Sequence, residues 1–220
     1  MSAATPVRDI RLASTDVSLT KRPDGTMYVK SVLTLGDFPA RMTDRLDHWA
    51  KVRPDQTFIA QRTPAGPWRR LTYAEAASTA RRIGQALASR PVSTKRPIAI
   101  LSGNDIEHAL LGLGAMYAGV PFSPISTAYS LVSKDHGKLK HIFRVLTPGL
   151  VFAANGTQFE KAIKAVMPAD AELVCTSNPL PGATMFADLT AQEPGAELDA
   201  AQAKVGPDTV FKILFTSGST

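Results

Sequence analysis

The sequence predicts an α/β fold in which a parallel sheet is flanked by helices and an N-terminal β-hairpin precedes the sheet. Short apolar runs alternate with amphipathic, helix-like segments between residues 57 and 177. Several of these runs are continuously apolar, as is typical of parallel strands buried on both faces. A Pro-Asp-Gly turn separates two strand-like runs near the N-terminus. Together these patterns predict two helical layers around one sheet.

The first 40 residues are predicted to form an extension that carries the hairpin. The hairpin spans residues 16–30 and turns at Pro23-Asp24-Gly25. A first helix should begin after Thr43 and end before Pro54, because the residue before a proline disfavours helical backbone.

Residues 41–190 are predicted to form the α/β subdomain. Its first strand is 57–62, and a capping box formed by Thr72 and Glu75 opens the next helix. Asn104 or Asp105 should cap a later helix that stops at Gly119. The remaining pattern predicts strands at 97–102, 120–126, 149–154 and 171–177, and helices at 104–119, 133–146 and 157–167.

The last 30 residues change in character. Residues 191–208 are rich in Ala, Pro, Gly and acids, which indicates a linker or loop with room for a short helix. Residues 209–215, TVFKILF, read as a strand, and Thr216–Thr220 follow it directly.

Composition and charge exclude several classes of protein. The chain is 44% hydrophobic and 20% charged, as ordinary globular proteins are. Its net charge is +6, but the basic residues are dispersed, so no nucleic-acid partner is expected. No run approaches the length of a membrane span, and one cysteine fits a reducing compartment. We expect a cytoplasmic protein without a membrane partner, and its oligomeric state is left open. The densest basic group is interpreted as a solvated helix face: Lys134, Lys138, Lys140, His141 and Arg144.

The TSGST loop is the first candidate site. A buried strand that runs into such a loop places backbone N–H groups and hydroxyls at the carboxyl edge of a sheet, where α/β proteins bind ligands. Successive N–H groups can form a nest for phosphate oxygens, and Gly218 would permit close backbone approach. The Gly-x-x-x-x-Gly-Lys-Ser/Thr pattern of P-loops is missing from the sequence. On residue chemistry alone, a phosphate site and a flexible tail both remain open.

Other candidate motifs favour structural roles. The run 112–119, GLGAMYAG, fails the dinucleotide pattern because Tyr117 stands where the third glycine is needed. Gly112 and Gly114 are instead predicted to permit close helix–sheet packing. His108 is interpreted as a packed or rim histidine, since the four histidines have no metal-ligand spacing. Cys175 is predicted to be a buried, inert thiol.

Three segments, taken in order, resemble the adenylate-forming acyl-CoA synthetases. They are LTYAEAASTARRIGQAL (71–87), RPIAILSGNDIEHALLGLGAMYAGVPFSPIS (96–126) and the terminal FTSGST (215–220). The resemblance covers roughly Thr43 to Thr220 and implies the first subdomain of that family's N-terminal domain. Residues 35–50 and the run KLKHIFRVLTPGLVFA (138–153) look most like the feruloyl-CoA synthetase branch.

The resemblance implies a two-step reaction on a small-molecule carboxylic acid, here a hydroxycinnamate such as ferulate. The carboxylate attacks ATP to give an acyl-adenylate, and the thiol of CoA then displaces AMP. The cofactors implied are ATP, Mg²⁺ and CoA. The residues that match the family's ATP phosphate loop are Thr216, Ser217, Gly218, Ser219 and Thr220.

The family pattern extends well beyond this sequence. The loop lysine, the acid pocket and the mobile C-terminal domain would all follow Thr220, so the chain is expected to be an N-terminal fragment that is inactive alone. Two alternatives stay open. One is a ligase for another aryl or fatty acid. The other is a non-catalytic α/β interaction module.

Overall fold

The computed structural model describes residues 14–63 and 66–216. By its internal contacts the chain divides into two units, Met1–Phe38 and Pro39–Thr220. The predicted fold class is confirmed: an N-terminal antiparallel hairpin and a parallel sheet flanked by helices.

The first unit contains the predicted hairpin. Strands β1 (Val17–Lys21) and β2 (Met27–Ser31) pair antiparallel. The turn closes at Gly25, whose φ of 88° favours glycine, and the Asp24 carboxylate accepts a hydrogen bond from the Thr26 N–H. Because side chains alternate between faces, the register places four apolar residues on one face, all more than half exposed: Val17, Leu19, Met27 and Val29.

The second unit opens with a helix and an antiparallel strand pair. Helix α1 (Thr43–Val52) begins where the sequence predicts and ends before Pro54. Strands β3 (Thr57–Arg62) and β4 (Trp68–Thr72) pair antiparallel. Helix α2 (Tyr73–Ala88) then begins with the predicted capping box, in which the Thr72 hydroxyl accepts from the Glu75 N–H and the Glu75 carboxylate accepts from the Thr72 N–H.

The main sheet has five parallel strands in the order β6-β5-β7-β8-β9. Strand β5 lies between β6 and β7. The chain therefore adds β6 on one side of β5 and the later strands on the other side, which makes β5 the topological switch point of the sheet. In such sheets ligands bind beside the reversal point, outside the carboxyl ends of the strands. The strands are β5 (Ile98–Leu101), β6 (Phe122–Pro124), β7 (Leu150–Asn155), β8 (Glu172–Ser177) and β9 (Thr184–Met185).

Both faces of the sheet are covered, as the continuous apolar runs predict. Ile98 and Ile100 face a core shared with α2, α3 (Ile106–Ala118) and α6 (Phe186–Thr190). Ala99 and Leu101 face the opposite core, which α4 (Gly137–Leu146) and α5 (Gly156–Val166) complete. All four residues of β5 are fully buried. Burial of each large side chain stabilises the fold by roughly 1.5–3 kcal/mol.

The helix predicted at 133–146 begins later, at Gly137. The Asp135 carboxylate accepts from the Gly137 N–H, and His136 has a left-handed φ of 55°, so the preceding residues turn rather than continue the helix. A π-helical segment at Ala128–Val132 precedes this turn. The basic side chains of α4 are exposed, in agreement with a solvated helix face: Lys138, Lys140, His141 and Arg144.

Helix α3 has the predicted ends, Asp105 as N-cap and Gly119 as a left-handed C-cap. Its two internal glycines lie against different neighbours. A Cβ at Gly114 would be 2.5 Å from Ile83 Cγ2 of α2, so this glycine permits helix–helix contact and not the predicted helix–sheet contact. A Cβ at Gly112 would be 3.0 Å from the Phe122 ring of β6, which is the predicted helix–sheet packing.

The predicted linker at 191–208 is packed against α2. It contains helix α7 (Ala196–Gln202), whose Leu198 is fully buried. The Gln85 side-chain oxygen accepts from the N–H groups of Gly195, at 2.9 Å, and Leu198, at 3.3 Å. Its amide nitrogen donates to Glu197. A buried glutamine of α2 therefore caps α7 and fixes this segment.

Candidate functional site

The segment that leads into the predicted phosphate loop runs beside β6, at the edge of the main sheet. Phe122 of β6 donates its N–H to the Phe211 carbonyl at 3.0 Å and accepts from the Ile213 N–H at 2.9 Å. The bridge between Phe122 and Lys212 is parallel, so residues 209–216 run toward the carboxyl edge of the sheet. Thr216 is described and exposed, and Ser217, Gly218, Ser219 and Thr220 lie outside the described residues.

Residues 209–215 were predicted to form a strand, but the structure pairs them through this single bridge. The next ladder bond would need an N–H from residue 124, which is proline and has none. Strand β6 also ends at Pro124. The pairing therefore stops for a local chemical reason, and the segment borders the same sheet instead of beginning a separate one.

A polar cluster lies at the carboxyl end of β5. His108 Nδ1 is 2.9 Å from the Ser102 hydroxyl and 3.1 Å from the Gly103 carbonyl oxygen. The Ser102 hydroxyl also donates to the Gly103 carbonyl at 2.9 Å. Because a carbonyl oxygen only accepts, these contacts together favour the tautomer with the proton on Nδ1. Nε2 is then an acceptor, and it has no hydrogen-bond partner among the described residues.

This tautomer argues against a Ser–His nucleophilic pair. Activation of Ser102 would require the imidazole to accept the hydroxyl proton, whereas Nδ1 here donates. His108, interpreted from the sequence as a packed or rim histidine, is half-buried. It lies between two cavities, one of about 330 Å³ beside Pro124–Thr127 and one of about 460 Å³ along α3.

The acidic residues at the start of α3 have two different roles. The Asp105 carboxylate accepts from the His108 N–H at 2.7 Å, as a helix cap does. Burial raises the pKa of Asp105 above its usual value. Glu107 instead receives a hydrogen bond from Arg69 of β4 at 2.6 Å. Nothing in the local sequence indicates this contact, because Arg69 lies 38 residues before Glu107.

The larger cavity is mostly apolar. It lies between β3 and α3, and Phe122 and Lys212 close one side. Gln61, Asp105 and His108 provide its polar end. A cavity of this size and composition falls in the range of small-molecule sites, about 300–1,000 Å³. Its apolar walls include Phe58, Ile59, Ile106, Ala109, Leu113 and Met116.

Two further sequence interpretations concern Cys175 and metal ions. Cys175 is fully buried, and burial raises the pKa of its thiol, in agreement with an inert cysteine. Within residues 14–63 and 66–216, no three His, Cys, Asp or Glu side chains come together as a metal site. None of the helices in these ranges is long and apolar enough to cross a membrane.

The strand order defines an α/β protein whose parallel sheet has its topological switch point at β5. A model of the AMP-binding enzyme family matches residues 46–220. The chain therefore belongs to the AMP-binding enzyme family, and it corresponds to the N-terminal part of the acyl-CoA ligases in that group.

The chain is also similar to individual ligases. One relative is a 3-[(3aS,4S,7aS)-7a-methyl-1,5-dioxo-octahydro-1H-inden-4-yl]propanoyl:CoA ligase of Rhodococcus jostii (strain RHA1). The two sequences are 31% identical over 167 residues, and the alignment covers 69% of this chain and 31% of the relative. The anthranilate CoA ligase AuaEII, solved with anthranoyl-AMP, shares 20% identity at a TM-score of 0.66. That alignment covers 83% of this chain and 34% of the other.

ATP-bound MatB from Rhodopseudomonas palustris shares 21% identity at a TM-score of 0.55, over 80% of this chain and 33% of the other. The likeness to these two solved structures concerns the fold. The chain thus spans about a third of the length of the relatives it matches.

Proposed function

We propose that this chain is the N-terminal part of an ATP-dependent acid–CoA ligase. Such an enzyme activates a carboxylate as an acyl-adenylate and transfers the acyl group to CoA. The family match supports this proposal, and so does the parallel course of residues 209–216 toward the carboxyl edge of the sheet. In this proposal residues 41–190 are the first α/β subdomain, 191–208 connect it, and 209–220 lead into the next subdomain.

Thr216, Ser217, Gly218, Ser219 and Thr220 are proposed to hold the phosphates of ATP. Backbone N–H groups and hydroxyls are suitable donors for phosphate oxygens. The attack of a carboxylate on the α-phosphate increases charge on those oxygens, so donors held in place before the reaction lower the barrier. In this mechanism the bridge between Phe122 and Lys212 fixes the start of the loop, which is the one part of it that is described.

Mg²⁺ would share the phosphate charge. Proteins usually hold it through one or two carboxylates together with the phosphates of the substrate. In this proposal, hydroxyl groups of the loop and the phosphates of ATP are candidate ligands. CoA enters only in the second step, as the thiol that displaces AMP.

We propose a hydroxycinnamate such as ferulate as the acid, on the sequence resemblance of residues 35–50 and 138–153. The relatives widen the choice of acid substrate. AuaEII is named for anthranilate, and the Rhodococcus ligase is named for a propanoyl group on a bicyclic ring system. A ligase for another aryl or fatty acid is therefore the alternative within the same class. The proposed enzyme would act in the cytoplasm.

The first experiment measures pyrophosphate release from ATP, Mg²⁺ and ferulate. We expect the 220-residue chain to show no turnover and the product of the whole reading frame to be active. Robust turnover by the 220-residue chain would refute its proposed status as an inactive part. A whole product without ATP affinity would instead support a non-catalytic interaction module.

A second experiment tests the loop within the whole reading frame. Gly218→Val should raise the KM for ATP at least tenfold, because a side chain there would obstruct approach to the phosphates. Gly206→Ala is the matched control, since a Cβ at Gly206 meets nothing within 4 Å. Equal KM values for the two variants would contradict a phosphate role of the loop.

A further inference from the structure

Strand β6 directs the backbone groups of successive residues to two different neighbours. The Pro121 carbonyl accepts a hydrogen bond from the Ile98 N–H at 2.9 Å, so the backbone of Pro121 faces β5. Phe122 faces the other way, because its N–H and its carbonyl both bond to the segment 209–216. Since the direction alternates along a strand, residue 124 faces the same way as Phe122. Pro124 therefore borders the segment that leads into the predicted phosphate loop.

The ladder between β6 and this segment ends at Pro124. In a parallel ladder, residue 124 would donate its N–H to the Ile213 carbonyl and accept from the Phe215 N–H. The first bond is impossible because proline has no N–H. The second bond is not formed either, and the Phe215 N–H has no hydrogen-bond partner within residues 14–63 and 66–216. The backbone therefore leaves the ladder after Ile213.

Side-chain packing, and not ladder bonding, holds the last residues before the loop. Ile213 and Phe215 pack against the core that contains Ile125 and Leu139. Both are half-buried, whereas Leu214 between them is 66% exposed. The loop thus begins beside two packed side chains whose backbone is not paired with β6.

We propose that Pro124 is a positioning residue for ATP, because it ends the ladder after Ile213 and so keeps the backbone of Phe215 unpaired where the phosphate loop begins. This inference rests on the proposed phosphate role of Thr216–Thr220, and Pro124 itself touches no phosphate. An N–H at position 124 would lengthen the ladder by up to two bonds. ATP would then have to open these bonds, and its apparent affinity would fall in proportion to the fraction of molecules that are open.

Amide hydrogen exchange of the 220-residue chain measures the length of the ladder. Pro124→Ala supplies the missing N–H, so we expect the Phe215 amide to exchange about fivefold more slowly than in the parent chain, as for one net hydrogen bond. The Ile213 amide already donates to Phe122 and serves as the internal reference. An unchanged exchange rate at Phe215 would overturn the proposal.

Kinetics of the product of the whole reading frame tests the consequence for ATP. Pro124→Ala should raise the KM for ATP about fivefold and leave kcat unchanged, because saturating ATP draws the loop out of the longer ladder. A variant that only folds less well would lower kcat, through loss of active protein, at the parental KM. Slower exchange at Phe215 together with the parental KM would refute the role of Pro124 in ATP binding.

Two controls separate the missing N–H from the proline ring. Pro121→Ala adds its N–H on the side of β5, so the KM for ATP should stay at the parental value. L-lactate incorporated at position 124 has the side chain of alanine but an ester oxygen in place of the N–H, and it should also keep the parental KM. A KM raised as much by either control as by Pro124→Ala would refute the ladder mechanism.

The same assays distinguish failure of this inference from failure of the proposed function. A parent protein without ATP turnover would refute the ligase proposal and, with it, the role of Pro124 in ATP binding. Equal KM values in an active parent and an active Pro124→Ala variant would refute this inference alone. The exchange rate at Phe215 reports the ladder in either case, because that measurement contains no ATP.

Discussion

Helix α3 has a packed side and a cavity side, and the two differ although the sequence is apolar around most of the helix. On the packed side Leu111, Gly114 and Ala115 are buried against α2 and the sheet. On the cavity side Ala109, Leu113 and Met116 are only half-buried. A helix that is apolar all round is normally buried all round. The cavity therefore accounts for the incomplete burial of this side of α3.

Leucine truncation should give the largest contrast between the two sides. Leu111→Ala should destabilise the protein by about 3 kcal/mol, because it removes a fully buried side chain and leaves a void. Leu113→Ala should cost about 1 kcal/mol, since Leu113 already borders open space. The free energies of unfolding come from urea titration. Similar losses would mean that the cavity side is as well packed as the other.

The two internal glycines offer a matched pair for the same comparison. Alanine at either position gains the same helix propensity, about 1 kcal/mol. Gly114→Ala would force a Cβ to 2.5 Å from Ile83, whereas Gly112→Ala meets only the edge of the Phe122 ring at 3.0 Å. We expect Gly114→Ala to be about 2 kcal/mol less stable than Gly112→Ala in urea unfolding. If the order were reversed, the α2–α3 contact would be looser than the structure shows.

Tyr117→Phe tests the polar contact on the buried side of the helix. The Tyr117 hydroxyl donates to Asp47 at 2.6 Å, and the side chain is fully buried. Burial, together with this hydrogen bond, raises the pKa of Tyr117 well above its usual value. Removal of the hydroxyl should cost about 1–2 kcal/mol in thermal unfolding. Tyr129→Phe serves as the control, and an equal effect there would contradict a specific role for the Asp47 contact.

Asp105 gives the smallest effect and a pH dependence. Because burial raises its folded pKa, the folded state binds more protons than the unfolded state near and above pH 4. Its contribution is therefore most favourable below the unfolded pKa and decreases as pH rises through the folded pKa. Asp105→Asn keeps the cap but does not titrate, so it should remove this pH-dependent loss. Asp105→Ala also does not titrate but loses the cap, so it should be about 1 kcal/mol less stable than Asp105→Asn across the whole range.

These measurements use unfolding curves between pH 3 and 8. An Asp105→Asn curve that declines with pH as steeply as the parent curve would exclude Asp105 as the source.

Local chemistry accounts for the parts of the fold that the sequence predicts correctly. Helix ends are set by residues that bond to backbone groups only a few positions away. The start of α2 follows from Thr72 and Glu75, and the two ends of α3 follow from Asp105 and Gly119. The continuously apolar run 98–101 predicts a strand that is buried on both faces, and the structure confirms this burial. The turn at Asp24-Gly25 likewise fixes the hairpin.

Distant partners account for most of the rest. Strand β4 contains two consecutive arginines and was not predicted. It is held by pairing with β3 and by the contact of Arg69 with Glu107, 38 residues away. The short helix α6 and strand β9 also escaped prediction, because their apolar residues complete a core made by other elements. The missing N–H of Pro124 shortened the pairing of residues 209–215.

The cavity along α3 was also beyond the reach of sequence patterns. It joins residues of β3, α3, β6 and the segment around Lys212, which are far apart in the chain. The loop Thr216–Thr220 was found through its motif and its preceding apolar run, and its role in phosphate binding stays a prediction.

The hydrogen bonds between the Gln85 side chain and the start of α7 have a consequence for synthesis of the chain. The backbone groups that donate to Gln85 belong to Gly195, 110 residues further along the chain, and to Leu198, 113 residues further along. A ribosome that adds about 5–20 residues per second reaches Gly195 roughly 5–22 s after Gln85. Until then water must satisfy the side-chain amide of Gln85, and the position that Leu198 fills in the core beside Ala80 and Tyr117 stays empty.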